Sequence, residues 1–281
     1  MPYDLVIQNG TIATASDVFQ ADIGIRDGVI VQIGRDLGEA VETIDATGRY
    51  VLPGGIDSHV HIAQPSGEGI VMADDFESGT RSALFGGNTP ILPFCLQEKG
   101  RPLREALKAY HALADGNCYT DVSFHLIVSD PSDAVLGQEL PALVEDGYTS
   151  FKVFMTYEDL RLSDGQILDT MDVARRTGAL VMVHCENEDA IRYLIGRHEA
   201  EGDVAPRAHA STRPMAVERE ATHRAVSLAE VADVPLVIVH VSNRESMEEI
   251  ERARRRGRKV IGETCPQYLM LTADDLDGMD W

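Results

Sequence analysis

From residue 50 onward the sequence repeats one phrase: a short run of β-branched and apolar residues, then a stretch of helical character. The runs fall at 56–62, 90–94, 122–128, 150–155, 180–184, 236–241 and 260–263, with helical stretches at 103–114, 166–177, 217–232 and 244–257. Successive strands joined through helices pair in parallel, so the pattern predicts βα units and an α/β fold. A closed (β/α)8 barrel needs eight strands, and seven are visible. The eighth either escapes this reading or lies beyond the chain. Pro90 cannot donate to a ladder, so the second strand is expected to begin after it.

Residues 1–50 read differently. Leu5-Val6-Ile7, a turn at Asn9-Gly10, Asp22-Ile23-Gly24-Ile25, and Asp27-Gly28 ahead of Val29-Ile30-Val31 describe short strands in tight succession. Both central positions of a type I′ turn need positive φ, which makes Asp27-Gly28 a hairpin signal. The expected organisation is a small β module over 1–50 and a barrel unit over 51–281.

Charge narrows the function. The chain carries 25 basic and 46 acidic residues, a formal net charge of −21. That balance repels phosphate backbones and argues against nucleic acid as a partner. Arg254-Arg255-Arg256 reads as the solvated end of a helix. No apolar run approaches the ~18 residues of a membrane span, and the N-terminus has neither a basic region nor a long apolar core. No membrane association and a cytoplasmic location are expected. The four cysteines are far apart and form no Cys-x-x-Cys pair, so no disulfide is expected.

The chemistry-bearing residues stand at strand ends. His59 and His61 close the first run, Lys152 sits in the fourth, His184 closes the fifth and His240 the sixth. In a parallel barrel these ends share one rim, where active sites lie. A His-x-His pair has period two, so both imidazoles leave one face of a strand ~6.5 Å apart along the backbone and can close on one ion. The His-x-His pair alone could equally be two polar residues at a strand end, and His184 or His240 alone is more often a satisfied core residue; four on one rim reverse that reading. Lys152, in Ser150-Phe151-Lys152-Val153-Phe154, places an ammonium in an apolar strand, which is costly unless it is paired or modified. It could form an ion pair at the rim, or be carboxylated by carbon dioxide to a carbamate that bridges two metals. Two divalent ions about 4 Å apart repel by roughly 15–20 kcal/mol at an effective dielectric of about 20, so a bridging anion is required.

Five segments in this order resemble the dihydropyrimidinase and hydantoinase family of cyclic amidohydrolases. They are Pro53-Gly54-Gly55-Ile56-Asp57-Ser58-His59-Val60-His61, Ser150-Phe151-Lys152-Val153-Phe154-Met155-Thr156-Tyr157, Val183-His184-Cys185-Glu186-Asn187, His240-Val241-Ser242, and Glu263-Thr264-Cys265-Pro266-Gln267-Tyr268-Leu269. The resemblance covers almost the whole chain. It implies a TIM-like (β/α)8 barrel of the amidohydrolase type, with the first 50 residues forming part of a small β-sandwich. It further implies two Zn2+ per subunit, with His59 and His61 on one ion, His184 and His240 on the other, and carboxylated Lys152 between them; Mn2+ or Fe2+ could serve at such a site. Zinc would make hydroxide available near neutral pH for attack on a ring carbonyl, and Tyr157 would hydrogen-bond the developing oxyanion.

The implied reaction is hydrolytic opening of a dihydropyrimidine or 5-substituted hydantoin to an N-carbamoyl amino acid. Other readings are an allantoinase or dihydroorotase activity, or a catalytically inactive fragment or interaction protein. The family also implies a homotetramer or homodimer, and an aspartate after the eighth strand that shuttles a proton. Asp274, Asp275, Asp277 and Asp280 follow the seventh run in a helical or loop segment and do not match it. The chain is therefore expected to lack the family's C-terminal part.

Overall fold

The computed structural model describes residues 2–66 and 69–277. The chain divides into two compact units, Met1–Ile56 with Gly87–Pro90, and Asp57–Gly86 with Ile91–Trp281.

The first unit is a mixed sheet of β1 (Tyr3–Ala13), β2 (Val18–Arg26), β3 (Val29–Gly34), β4 (Ala40–Asp45) and β5 (Tyr50–Val51). Its order is β3-β2-β1-β4, with β5 also pairing β1. Asp27 and Gly28 adopt φ of 52° and 73°, the backbone of the expected hairpin turn. The Asn9-Gly10 turn is not formed. β1 runs straight through it, and the ladder to β2 shifts register between Ile7 and Gly10. Asn9 takes φ of 63°, with its N–H on Asp22 Oδ1 and its amide on Asp45 Oδ1. A bulge absorbs the left-handed residue without reversing the chain.

The second unit is built on a curled parallel sheet flanked by helices. Its strands are β6 (Gly55–Val60), β7 (Asn88–Leu96), β8 (Asp121–Val122), β9 (His125–Ile127), β10 (Ser150–Phe154), β11 (Leu180–His184), β12 (Leu236–Ile238) and β13 (Val260–Gly262). The order β13-β12-β11-β10-β9-β7-β6 follows the chain, with β8 on β7 as a side branch. This is the TIM-like arrangement of a barrel wall. β7 starts at Asn88, ahead of Pro90, correcting the expected start; near the first residue of a strand a proline sacrifices little of the ladder. The run at 122–128 is split into β8 and β9.

Alternation along the strands sorts side chains into two cores. Phe151 and Val153 of β10, Val181 and Val183 of β11, and Leu236 and Ile238 of β12 face the helices, all fully or almost fully buried. They meet Ile167 and Met171 from α4 (Asp164–Thr177), Ala221 and Ala225 from α7 (Met215–Ala232), and Ile250 and Ala253 from α8 (Arg244–Arg255). Each large aliphatic side chain so buried contributes about 1.5–3 kcal/mol before entropy is charged against it. The opposite face gathers Phe94, Ile127, Phe154, Met182, Val237 and Val239 into a second cluster. Lys152 and His184 lie two residues from Phe154 and Met182, on this inner face.

Local signals set the helix ends. Ser163 caps α4 through a capping box with Gln166, and Gly178 closes it at φ of 77°. α2 (Leu103–Ala114) buries Leu103, Leu107, Tyr110 and Ala114, one helical stripe. Four helices outside the expected set are α1 (Phe76–Phe85), α3 (Leu140–Glu145), α5 (Glu188–Glu201) and α6 (Ala208–Ser211). Among the described residues no helix is long and apolar enough to cross a membrane.

Candidate functional site

The second unit brings the expected residues together at one end of its parallel sheet. His59 and His61, from the end of β6, have ring centroids 5.3 Å apart. His184 and His240, from the ends of β11 and β12, lie 4.4 Å apart, and His240 is 5.5 Å from His59. Phe94 forms the floor, with its ring 4.7 Å from His59 and 4.9 Å from His61. The Lys152 ammonium nitrogen sits 4.8 Å from the Phe94 ring and 5.0 Å from that of Phe154.

Lys152 is only 1% exposed, and among the described residues no carboxylate lies within ion-pair distance of it. The rim ion pair considered from sequence is therefore not formed. Burial pushes the amine down to about 7, so much of it is neutral at neutral pH.

Each imidazole has an anchor. His59 Nδ1 meets Glu263 Oε2 at 2.5 Å, and His61 Nδ1 meets Gln64 Oε1 at 2.7 Å. His184 Nε2 meets Glu186 Oε2 at 2.7 Å, and its Nδ1 faces His240 Nε2 at 2.9 Å. Desolvation, followed by neighbouring cationic groups, holds His184 and His240 well below the ordinary histidine range, as neutral rings with a lone pair to give. Burial, the largest single influence, works against ionisation of Glu263, but the hydrogen bond and charge of His59, the His240 N–H and the Lys152 charge together outweigh it and keep its carboxyl below the usual value.

The backbone at this rim is irregular. His240 has φ of 39° and Tyr157 of 67°, both left-handed and both uncommon for such residues. The turn at His240 ends β12 at Ile238, short of the expected 241, and presents the imidazole to His184. Tyr157 stands with its ring 5.1 Å from that of His184. Its N–H and the Thr156 hydroxyl both donate to Glu188 Oε2, at 3.0 and 2.6 Å. Thr156 is buried, so Glu188→Ala leaves it without an acceptor and is expected to lower stability by about 1–3 kcal/mol. Urea titration checks this; an unchanged midpoint would show that water replaces the carboxylate.

Similarity to known proteins agrees with this architecture. Residues 50–204 match the amidohydrolase family, and residues 1–47 match the N-terminal domain of the urease alpha-subunit. The chain belongs to the amidohydrolase family. A D-hydantoinase of Geobacillus stearothermophilus is 50% identical over 275 residues, 97% of this chain and 58% of that protein. One from Ralstonia pickettii is 48% identical over 279 residues, 99% of this chain and 61% of that one. A solved D-hydantoinase superposes with a TM-score of 0.95 at 48% identity, over 99% of this chain and 60% of its own. The dihydropyrimidinase of Brevibacillus agri NCHU1002 gives 0.95 at 47%, over 98% and 60%. The chain thus spans about three fifths of the length of these relatives.

For an amidohydrolase centre the donor chemistry fits. Two imidazole pairs are borderline nitrogen donors of the kind zinc accepts, and a buried amine stands beside them. Among the described residues no three His, Cys, Asp or Glu side chains converge as a ligand set. The imidazoles come two and two, and a two-metal site would need a further anionic group between the pairs. Asp274 and Asp275 lie in a 3-10 turn, Ala273–Leu276, and Asp274 and Asp277 bind Arg207; Asp280 is outside the described residues.

Sequence reasoning did not single out Glu263, Glu186, Glu188 or His125. The last is buried under the site, its Nδ1 2.5 Å from Ser150 Oγ and its Nε2 3.0 Å from the Ser58 carbonyl. Burial pushes it down to about 4. Glu263 and Glu186 stand within the family-like segments, so position relative to a strand-end histidine is the signal that could have found them.

Proposed function

We propose that this chain carries the metal-binding half of a cyclic amidohydrolase that opens dihydropyrimidines or 5-substituted hydantoins to N-carbamoyl amino acids. The observation that carries the reading is the gathering of His59, His61, His184 and His240 around a buried, unpaired Lys152. In this reading residues 51–281 form the metal-dependent unit and residues 1–50 the accessory β module.

His59 and His61 would hold one ion and His184 and His240 the other. Lys152 would join them as a carbamate, formed when its neutral amine adds to carbon dioxide and releases a proton. Two zinc ions, when bound, supply the Lewis acidity that makes water nucleophilic near neutral pH. Glu263 and Gln64 hold His59 and His61 through Nδ1, which leaves Nε2 as the donor atom of each ring. Phe94 and Phe154 keep bulk water from Lys152. The Tyr157 hydroxyl, beside His184, would donate to the carbonyl oxygen as it gains charge. Ring opening then forms a bond between the water oxygen and the carbonyl carbon and breaks the C–N bond, and the leaving nitrogen takes a proton given up by that water. The names of the relatives, D-hydantoinase and dihydropyrimidinase, support this substrate class.

The test is hydrolysis of dihydrouracil and 5-substituted hydantoins by the zinc-supplemented whole protein of which this chain is the metal-binding half. Turnover is expected, and Tyr157→Phe should lower kcat by about 10²–10³-fold, the effect of losing one oxyanion donor. Absence of turnover on every cyclic amide by zinc-loaded protein would overturn the reading. Turnover unaffected in Tyr157→Phe would remove the tyrosine from it.

A further inference from the structure

β6 ends at Val60, so His61 stands one residue beyond the last rung of its strand. The chain turns away at once, with Ala63 left-handed at φ of 47°. What holds a side chain on such a turn is whatever holds the turn.

Ile62 lies between the two, and it is gripped twice. Its side chain is buried against α1, where Gly79 leaves the space it needs: a Cβ at that position would stand 2.9 Å from Ile62 Cγ2. Its carbonyl accepts a hydrogen bond from the Tyr110 hydroxyl of α2 at 2.6 Å. A buried carbonyl without a donor is costly, so this contact decides where the turn can sit. Tyr110 is itself held, its ring buried and packed against Phe76 at 5.0 Å and Phe124 at 4.9 Å. Burial pushes its phenol up, which keeps it a donor. The next residue of the turn is tied as well, the Ala63 N–H donating to the Asp74 carbonyl at 2.9 Å.

We infer that Tyr110, a residue of α2 outside the histidine cluster, is a positioning residue that sets the place of His61 from behind by pinning the Ile62 carbonyl, with Gly79 giving Ile62 the room to be pinned. Phenylalanine would serve the aromatic packing equally; the hydroxyl serves the turn. The ring of His61 is tethered by Gln64, a residue of the same turn. A turn released at Ile62 therefore carries the imidazole and its tether away together.

The pinning stands on the metal-free chain; its consequence for zinc rests on the function proposed above. Two measurements on the whole protein separate them. Amide hydrogen exchange of the metal-free form, read by mass spectrometry on peptides covering 61–66, reports the turn, and competition with a chromophoric chelator reports zinc affinity. Tyr110→Phe keeps the ring and removes the donor. It should speed exchange in 61–66 by about 5–10-fold, the equilibrium worth of one hydrogen bond, and leave α2 and β7 unchanged. Zinc binding should weaken by about tenfold, the low end of what outer-shell partners contribute. Gly79→Ala leaves the hydroxyl in place and crowds Ile62 instead. It should reproduce both effects, although alanine is the better helix former for α1.

Unchanged exchange in 61–66 of a folded Tyr110→Phe protein overturns the inference. Faster exchange spread evenly over α2 and β7, the mark of a residue that serves packing alone, overturns it too. So does a local rise with undiminished zinc affinity. Where Tyr110→Phe fails to fold, Gly79→Ala decides by the same criteria. A local rise in both variants of a protein that binds no zinc even as wild type would uphold the pinning while removing the metal-dependent function.

Discussion

A Lys152→Ala protein is expected to bind no more than one zinc per chain and to lose ring-opening activity. The reason is electrostatic. Two divalent ions about 4 Å apart repel by roughly 15–20 kcal/mol even at an effective dielectric of about 20, and neutral imidazoles do nothing to cancel that charge. Only an anion between the pairs makes double occupancy tolerable, and Lys152 is the buried group able to become one. Lys152→Met sharpens the test, because it keeps the volume of the side chain and removes its nitrogen. A buried amine with no acceptor is a liability to folding. Lys152→Met should therefore melt no lower than wild type while losing the second zinc. Metal counting by plasma mass spectrometry checks this; two ions per chain in either variant would remove the lysine from the bridging role.

The second large effect is expected at Phe94. Its ring is fully buried and lies within 5 Å of the rings of His59, His61 and His125 and of the Lys152 nitrogen. Phe94→Ala opens a cavity in the inner core and is expected to lower stability by about 3–5 kcal/mol. It also lets water reach Lys152, so the loss of packing and the loss of a dry site should appear together. Urea titration measures the first. The second should appear as a rise of the Lys152 pKa toward the ordinary lysine range, read from the pH dependence of amine labelling. A Phe94→Ala protein as stable as wild type would mean that the inner cluster is not a cohesive core.

The regular parts of this architecture were legible because they obey simple periods. β11 and α2 fall on the residues expected, Leu180–His184 and Leu103–Ala114, since one is a bare β-branched run and the other a clean helical stripe. α5 was not found because Ile191 is its only buried residue; a helix that buries one side chain writes almost no apolar pattern. Its start is marked only by Asn187, which caps it through the Ala190 N–H. β12 was drawn too long because Val239-His240-Val241 looks extended in sequence, whereas the left-handed turn at His240 is imposed by its surroundings.

At the candidate site, the gathering of the imidazoles was legible from their places at strand ends, and that of Lys152 from its place inside an apolar strand. The carboxylates that hold the rings were not. Acidic residues are abundant in this chain, and only three-dimensional proximity separates Glu186 and Glu263 from the many that face solvent.

The two-residue alternation of β10 carries a consequence for how such a chain can change over time. Lys152 reaches the inner face and Phe151 and Val153 the outer one only because their positions are counted from Ser150, which pairs with Leu180 in the neighbouring strand. Adding or deleting a single residue here would reverse every side chain at once, sending the amine among the helices and phenylalanine into the site. The interval from Ser150 to Phe154 can therefore accept altered letters but not an altered number of them.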